Sequence, residues 1–364
     1  MSFLRNLANY IPPPSFLTMP SVGVDVSDTS LKYVSFLPSL RSNRAKVLEQ
    51  WGDLDIPPGV LEEGKVKDVK ALAKVFKEFK LTTGAEFIRL SLPEEEAYIF
   101  ETKIKNNIPP KELRSILEFK LEENVPIPVR EAVFDYELVS SSDASMLHIV
   151  VAAYQREVVA NYYEACLESG LTPLSFEVEA QAMGRALVSG KTDEVVLLAD
   201  FGKTRTGIGI LLGGALLYTS TIDAGGAKLS EMLRREFGKD ITEEDLNNFK
   251  NNFGLVRSLD DTRVFDSLLP TVSVIKDEIA LRMQYWHQSN DNRPERRIKK
   301  VIICGGTANM RGLPEYLTEA LNLPVLRGNV WENAFDVRLV VPPIDRRYSF
   351  GYTTAIGLAL KNTI

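Results

Sequence analysis

Two aspartates, Asp25 and Asp200, each close an apolar run, and each is followed by a turn of small or hydroxyl residues. The first stretch reads Val22-Gly23-Val24-Asp25-Val26-Ser27-Asp28-Thr29-Ser30-Leu31-Lys32. The second reads Leu198-Ala199-Asp200-Phe201-Gly202-Lys203-Thr204-Arg205-Thr206-Gly207-Ile208-Gly209-Ile210. Each layout predicts two strands joined by a tight turn, with an acid near the end of the first strand. Backbone N–H groups in such turns form a concavity for anions. A carboxylate beside them can hold Mg²⁺ directly or through the water that ion retains. Two such turns facing each other would clamp a nucleotide's phosphates and metal from both sides.

Alone, a strand–Asp–turn–strand occurs in many proteins that bind nothing, so the weight falls on the ordered set. Asp25 comes first, with Ser27, Thr29, Ser30 and Lys32. Asp200 follows, with Gly202, Thr204 and Thr206. Gly225-Gly226, with Lys228, comes third, and Gly305-Gly306-Thr307 comes fourth. A glycine pair directly after the buried strand Val301–Cys304 suits a ligand at a sheet's switch point, and glycine lets backbone approach a flat base or sugar. Lys32 has two readings, a phosphate contact or a solvated strand lysine. Glu278 and Arg282, spaced i and i+4, either line a nucleoside pocket or pair on a helix surface.

The bulk properties narrow the function. The chain has 364 residues, long enough for two or more domains. It is 45% hydrophobic and 25% charged, with a formal net charge of -6, which argues against a nucleic-acid coat. Two cysteines, Cys166 and Cys304, point to neither a disulfide framework nor a zinc site. The two histidines, His148 and His287, make a histidine metal site or triad improbable. No apolar run is long enough to span a bilayer. The stretch from Phe3 to Ile11, before Pro12-Pro13-Pro14, lacks signal-peptide features and reads as an arm, or alternatively as an amphipathic segment touching a membrane or partner.

The elements alternate as an α/β protein requires. An amphipathic helix is predicted over Asp68 to Phe79 and a strand over Phe87 to Leu92. Between about 88 and 176 the pattern changes. Prolines 109 and 110 introduce a helix to Glu122, Val125-Pro126-Ile127-Pro128 stops it, and strands at Phe134–Val139 and His148–Ala153 precede a helix over Glu157–Glu168. This reads as a compact α+β insertion. A helix over Glu179–Leu187 then leads to the second hairpin. A helical pair over 228–237 and 242–249, a long helix from about Phe265 to Trp286, and a small-residue tail helix from Phe350 to Leu360 complete the chain.

This series resembles the actin, Hsp70 and sugar kinase superfamily. The segment Leu117-Glu118-Phe119-Lys120-Leu121-Glu122-Glu123-Asn124-Val125-Pro126-Ile127-Pro128, with Ala132-Val133-Phe134-Asp135-Tyr136, resembles the special subdomain of FtsA and is most similar to the type IV pilus assembly protein PilM family. Ile241 to Lys250, with Phe253-Gly254-Leu255, resembles that family's small second-half subdomain. The resemblance covers about residues 20 to 360. It implies an α/β, actin-like (ribonuclease H-like) two-lobed ATPase fold with an FtsA-type subdomain inserted in the first lobe. The implied division is an arm at 1–20, first-lobe parts at 21–87 and 177–194, and an inserted partner-binding subdomain at 88–176. The second lobe spans 195–345, with a helical subdomain at about 226–264, and a helix at 346–364 packs on the first lobe.

The resemblance further implies ATP and Mg²⁺ as cofactors, with Asp25 and Asp200 as metal-linked acids. Glu177, Glu179 and Gln181 stand where the superfamily keeps a water-orienting residue, and Gln181 is taken as the catalytic candidate beside the two aspartates; an exposed helix start is the plainer reading. The implied role is a cytoplasmic scaffold at the inner face of the cytoplasmic membrane. It would bind the N-terminal peptide of a PilN-like bitopic membrane protein, reach the membrane only through that partner, bind no nucleic acid, and have self-association open to it. At most it would be a slow ATPase. An FtsA-like division protein is the alternative, although the chain ends at Ile364 without a basic amphipathic helix; a sugar kinase on the same fold is another. One departure stands out: the superfamily's first turn reads Asp-x-Gly, whereas this chain has Asp25-Val26-Ser27-Asp28. Asp28 either repels phosphate or is a turn residue.

Overall fold

The computed structural model describes residues 19–37, 46–139, 145–188, 193–258 and 261–361. The predicted arm lies outside them up to residue 18. The chain divides into two compact units. One comprises Met1–Val188, Val330–Pro343 and Thr354–Ile364; the other comprises Ser189–Asn329 and Ile344–Thr353.

The first unit is built on a five-stranded sheet. Its strands are β1 (Ser21–Val26), β2 (Ser30–Phe36), β3 (Leu48–Asp55), β6 (Phe87–Leu92) and β10 (Thr172–Val178), in the order β10-β6-β1-β2-β3. The two-stranded ribbon β4 (Leu61–Glu62) and β5 (Lys65–Val66) follows β3. Helix α1 (Val69–Thr83) starts where Asp68 Oδ1 accepts the Ala71 N–H and ends at Gly84, whose φ of 70° suits a helix stop. Its apolar face, Leu72, Val75, Phe76 and Phe79, is buried.

The insertion forms its own layer. Strands β7 (Tyr98–Lys105), β8 (Ala132–Val139) and β9 (Met146–Gln155) pair antiparallel in the order β7-β9-β8. The sequence reading lacked β7. Three successive glutamates before it and mixed charges within it (Glu101, Lys103, Lys105) mask its alternation. Helix α2 (Pro110–Asn124) covers this sheet with Leu113, Leu117 and Leu121, spaced four apart and buried with Ile104, Ile127, Ile149 and Val151. Truncating a fully buried leucine such as Leu117 to alanine costs about 2–5 kcal/mol. Helix α3 (Arg156–Ser169) packs on α1, and α4 (Glu179–Leu187) follows β10.

The second unit repeats the sheet plan. Strands β11 (Val195–Phe201), β12 (Thr206–Leu212), β13 (Ala215–Ile222), β14 (Ile298–Cys304) and β15 (Val325–Arg327) have the order β13-β12-β11-β14-β15. Its helices are α5 (Gly226–Phe237), α6 (Glu243–Asn248), α7 (Arg263–Ser289) and α8 (Leu313–Leu321). A π turn, Phe249–Phe253, extends α6. The last helix, α9 (Thr353–Leu360), lies against β1 and α4 in the first unit. A Cβ on Gly357 would sit 1.8 Å from the Ala182 carbonyl oxygen, so only glycine allows that approach. Among the described residues no helix is long and apolar enough to cross a membrane.

Candidate functional site

The predicted hairpins exist with the predicted polarity. In the first unit β1 and β2 pair antiparallel, with Asp25 opposite Lys32. Asp25 is half-buried, and its Oδ1 accepts the Ser91 hydroxyl at 2.9 Å. Ser91 also accepts the Val26 N–H at 3.2 Å, so it fixes both the acid and the turn. Ser91 was absent from the sequence reading. Its only signal is its place at the end of β6, which runs parallel to β1. Burial pushes the Asp25 carboxyl above the usual carboxylate range, against the opposing pull of Lys32 and the Ser91 hydrogen bond.

The first turn closes on itself. The Ser27 N–H donates to the Ser30 carbonyl at 2.9 Å, and the Ser27 hydroxyl accepts the Ser30 N–H at 3.3 Å. Lys32 Nζ donates to Ser30 Oγ at 2.6 Å. Thr29 ties back through its carbonyl, which accepts the Ile56 N–H. Ser27 does not have the left-handed φ that would demand glycine, which is why a serine is tolerated there. Asp28 is a turn residue: its Oδ1 accepts the Gly64 N–H at 2.9 Å and anchors the β4–β5 ribbon.

The second turn is assembled differently. The Gly202 carbonyl accepts the Gly226 N–H at 3.0 Å and the Thr307 hydroxyl at 3.3 Å. Lys203 accepts the Ala227 N–H at 2.7 Å, which seats the start of α5 on this turn. Gly305 has a φ of 84°, and a Cβ there would lie 2.2 Å from Asp200 Oδ1. A Cβ on Gly226 would lie 2.5 Å from Thr307 Oγ1, and one on Gly225 would lie 2.7 Å from the Arg205 nitrogen. Thr204 is exposed beside them. Asp200, Gly202, Gly225, Gly226, Gly305 and Thr307 therefore form one cluster at the ends of β11 and β14. Glycine backbone without side-chain cover, a hydroxyl and a single carboxylate are the group set that a phosphate chain with a water-shelled divalent cation requires.

Four predicted residues sit elsewhere. Thr206 is fully buried and its hydroxyl donates to the Ala224 carbonyl at 2.7 Å, so it supports the segment before Gly225 rather than facing a ligand. Lys228 Nζ turns back to the Asp223 carbonyl. Glu278 pairs with Arg282, which donates to Ser220 and Thr221 on β13, three strands from β14. Its helical spacing was read correctly, but the sheet order carries the pair away from the glycine cluster. Gln181 donates to Glu137 on β8 at 3.2 Å. Its neighbour Glu179 instead shares an electrostatic environment with Asp25 and Asp28: all three bear on the buried Tyr162 hydroxyl. Glu177 is buried, and although burial alone would raise it, Arg185 and Lys361 hold its carboxyl below the usual range. Among the described residues no group of three or more His, Cys, Asp or Glu could hold a metal.

Next to the glycine cluster, within the same unit, lies a cleft of about 530 Å³ lined by Asn251, Asn252, Asn309, Arg311, Arg327, Arg346, Arg347 and Phe350. The short 3-10 turn Gly306–Asn309 joins the two, with Thr307 on the cluster and Asn309 on the cleft. The sequence reading missed this cleft because its residues come from four separate segments.

Comparison with known proteins agrees with this architecture. The chain matches a solved PilM-PilN type IV pilus biogenesis complex with a TM-score of 0.75 and 23% identity, over 95% of this chain and 99% of the other. It matches the ethanolamine utilization protein EutJ of Carboxydothermus hydrogenoformans with a TM-score of 0.52 and 16% identity, over 96% and 90% of the two chains. It also matches MreB 5 of Spiroplasma citri, solved with AMPPNP, with a TM-score of 0.51 and 11% identity, over 92% and 93%. The fold is the actin-like ATPase fold with its two hairpin-bearing sheets. The model of the family described as type IV pilus assembly protein PilM matches residues 23–363. The chain is thus a member of the type IV pilus assembly protein PilM family.

Proposed function

We propose that this protein is a nucleotide-binding, actin-like scaffold of type IV pilus assembly that holds the N-terminal peptide of a PilN-like membrane protein. The family match over residues 23–363 carries the role, and the likeness to a PilM-PilN complex supports the partner. The nucleotide reading rests on the glycine cluster around Asp200. The MreB 5 relative with AMPPNP supports the ligand class. When bound, Mg²⁺ would neutralise phosphate charge; Asp200 is the carboxylate that the second unit offers it, and Asp25 is the strand-end acid of the first unit. Gly202, Gly226 and Thr307 would meet the phosphates. Glu179 replaces Gln181 as the candidate for orienting water.

For the peptide we assign the open edge of β8. Among the described residues this strand has a partner on one side only, and Val133, Tyr136 and Leu138 are exposed along it. An extended peptide adding to such an edge gains backbone hydrogen bonds, with side chains setting specificity. Nucleotide would influence the peptide only by binding one conformation more tightly.

Two titrations test the reading: Mg-ATP against the full chain, and a synthetic PilN-type N-terminal peptide against the same protein. Binding of both, with Leu138→Asp weakening the peptide alone, is the expected result. Sugar-stimulated ATP turnover with no peptide binding would overturn it in favour of a kinase.

A further inference from the structure

The last turn of α7 is fastened to the start of β14 by two neighbouring side chains. Trp286 is buried and donates Nε1 to the Arg296 carbonyl at 2.7 Å. His287 is half-buried and accepts the Ile298 N–H on Nε2 at 3.2 Å. Between the two elements the chain reverses through the 3-10 turn Pro294–Arg296. The strand ladder is irregular at this place. Val195 of β11 pairs with Ile298 but Val196 pairs with Lys300, so Lys299 is an extra residue in β14. On the other side, β15 joins β14 only from Val301 onward. A bulge interrupts the regular ladder bonds, and here a side chain takes the N–H that begins the strand.

The two fastenings differ in kind. An indole N–H donates at every pH, whereas an imidazole nitrogen accepts only while it carries no proton. Accepting at Nε2 requires the neutral ring with its proton on Nδ1. A proton added to Nε2 would set one N–H against another and cancel the bond. His287 lines a cleft of about 700 Å³ bounded by α7, α8 and β14. The charged groups of that cleft are Asp291, just after α7, and Arg297 and Lys299, at the entry of β14; residues 320–323, at the end of α8, add none. Burial, and after it the positive charge of Arg297, hold His287 below its ordinary value of 6.5.

We propose that His287 is a proton-sensitive latch on the entry of β14: neutral, it holds the Ile298 N–H; protonated, it lets that N–H go while Trp286 still holds the Arg296 carbonyl. Acidification then loosens the first residues of β14, at the end of the strand opposite Gly305. The buried stretch Val301–Cys304 stays in place. The opened segment takes up a proton near the ordinary value of 6.5, and the latched segment only below it. The latch is therefore at full strength above about pH 6.5 and is lost as pH falls through the latched-state value.

The test is amide hydrogen exchange in the full chain, labelled on isoleucine nitrogen and followed by NMR at about pH 7.5 and about pH 5, with intrinsic rates corrected. Protection of the Ile298 amide should fall at least about threefold at the lower pH, and protection of Ile303, further along the same strand, should hold. The chain has two histidines, so the His287 ring can be titrated in the same samples, and the loss at Ile298 should follow that titration. His287→Gln keeps an acceptor that does not titrate and should protect Ile298 equally at both pH values. Unchanged Ile298 protection in the unaltered protein would overturn the latch, as would an equal loss at Ile303. A loss whose midpoint departs from that of the His287 ring, or one that persists in His287→Gln, would assign it to another group and overturn the proposal as well.

Discussion

The turn after β1 spends its polar groups on itself, whereas the turn after β11 spends its backbone on joining three glycine-bearing segments. Ser27, Ser30 and Lys32 form a closed set, with Asp28 tied to Gly64. Around Asp200, by contrast, Gly202, Gly226, Gly305 and Thr307 converge where added side chains would collide. The two hairpins share a topology and a strand-end acid, yet only at the second turn do several glycines meet one another's segments where a Cβ would collide; on the first hairpin Gly23 excludes a Cβ further back on β1, against α9. Similar hairpins therefore need not make equal contributions to a site. We assign the gripping of phosphate to the second turn, and to the first a carboxylate held ready for the metal.

The sharpest way to break this contrast is Gly305→Ala. Its left-handed φ costs a Cβ-bearing residue about 1–2 kcal/mol, before the collision with Asp200. Nucleotide affinity should fall on the order of a hundredfold, measured by calorimetry, with a lowered denaturant midpoint. Asp28→Ala probes the other side. Loss of the carboxylate that holds Gly64 should destabilise the first unit by about 1.5 kcal/mol, with nucleotide affinity unchanged.

Asp25→Asn tests whether the first acid is kept charged at a cost. Its folded-state carboxyl lies above its ordinary value of 3.8, so the unfolded chain ionises first as pH rises. The wild-type protein thus loses stability from about pH 3.8 up to the folded-state value and stays penalised above it. The asparagine variant should be more stable than wild type at pH 7, with the gap closing below about pH 3.8, while Mg-dependent nucleotide binding weakens. A variant that melts earlier at pH 7 would mean that Asp25 is a structural acid.

Much of this contrast could be read from residue order. Apolar runs ending in Asp25 and Asp200 dictated both hairpins, and Gly305-Gly306 after Val301–Cys304 marked the second site, because strand alternation and glycine act locally. The helices at 156–169 and 179–187 were legible from their apolar spacing for the same reason. What sequence order hid depends on sheet order and on long-range approach. Ser91 reaches Asp25 only because β6 runs beside β1. Glu278 leaves the site only because β13 is an edge strand. Thr206 looks like a ligand residue until its hydroxyl meets Ala224. Four segments had to converge before the arginine cleft existed.

The central claim is that the second turn, not the first, grips phosphate. Calorimetric titration of Mg-ADP into Gly226→Ala and Ser27→Ala side by side tests it most directly. Gly226 opens a helix with an ordinary φ, so alanine leaves the backbone unstrained and acts only on Thr307 and the phosphate approach. Gly226→Ala should weaken binding at least about tenfold with only the small loss of stability that shifting Thr307 off the Gly202 carbonyl brings, and Ser27→Ala should change affinity by less than about threefold. A large loss in Ser27→Ala with wild-type affinity in Gly226→Ala would contradict the account.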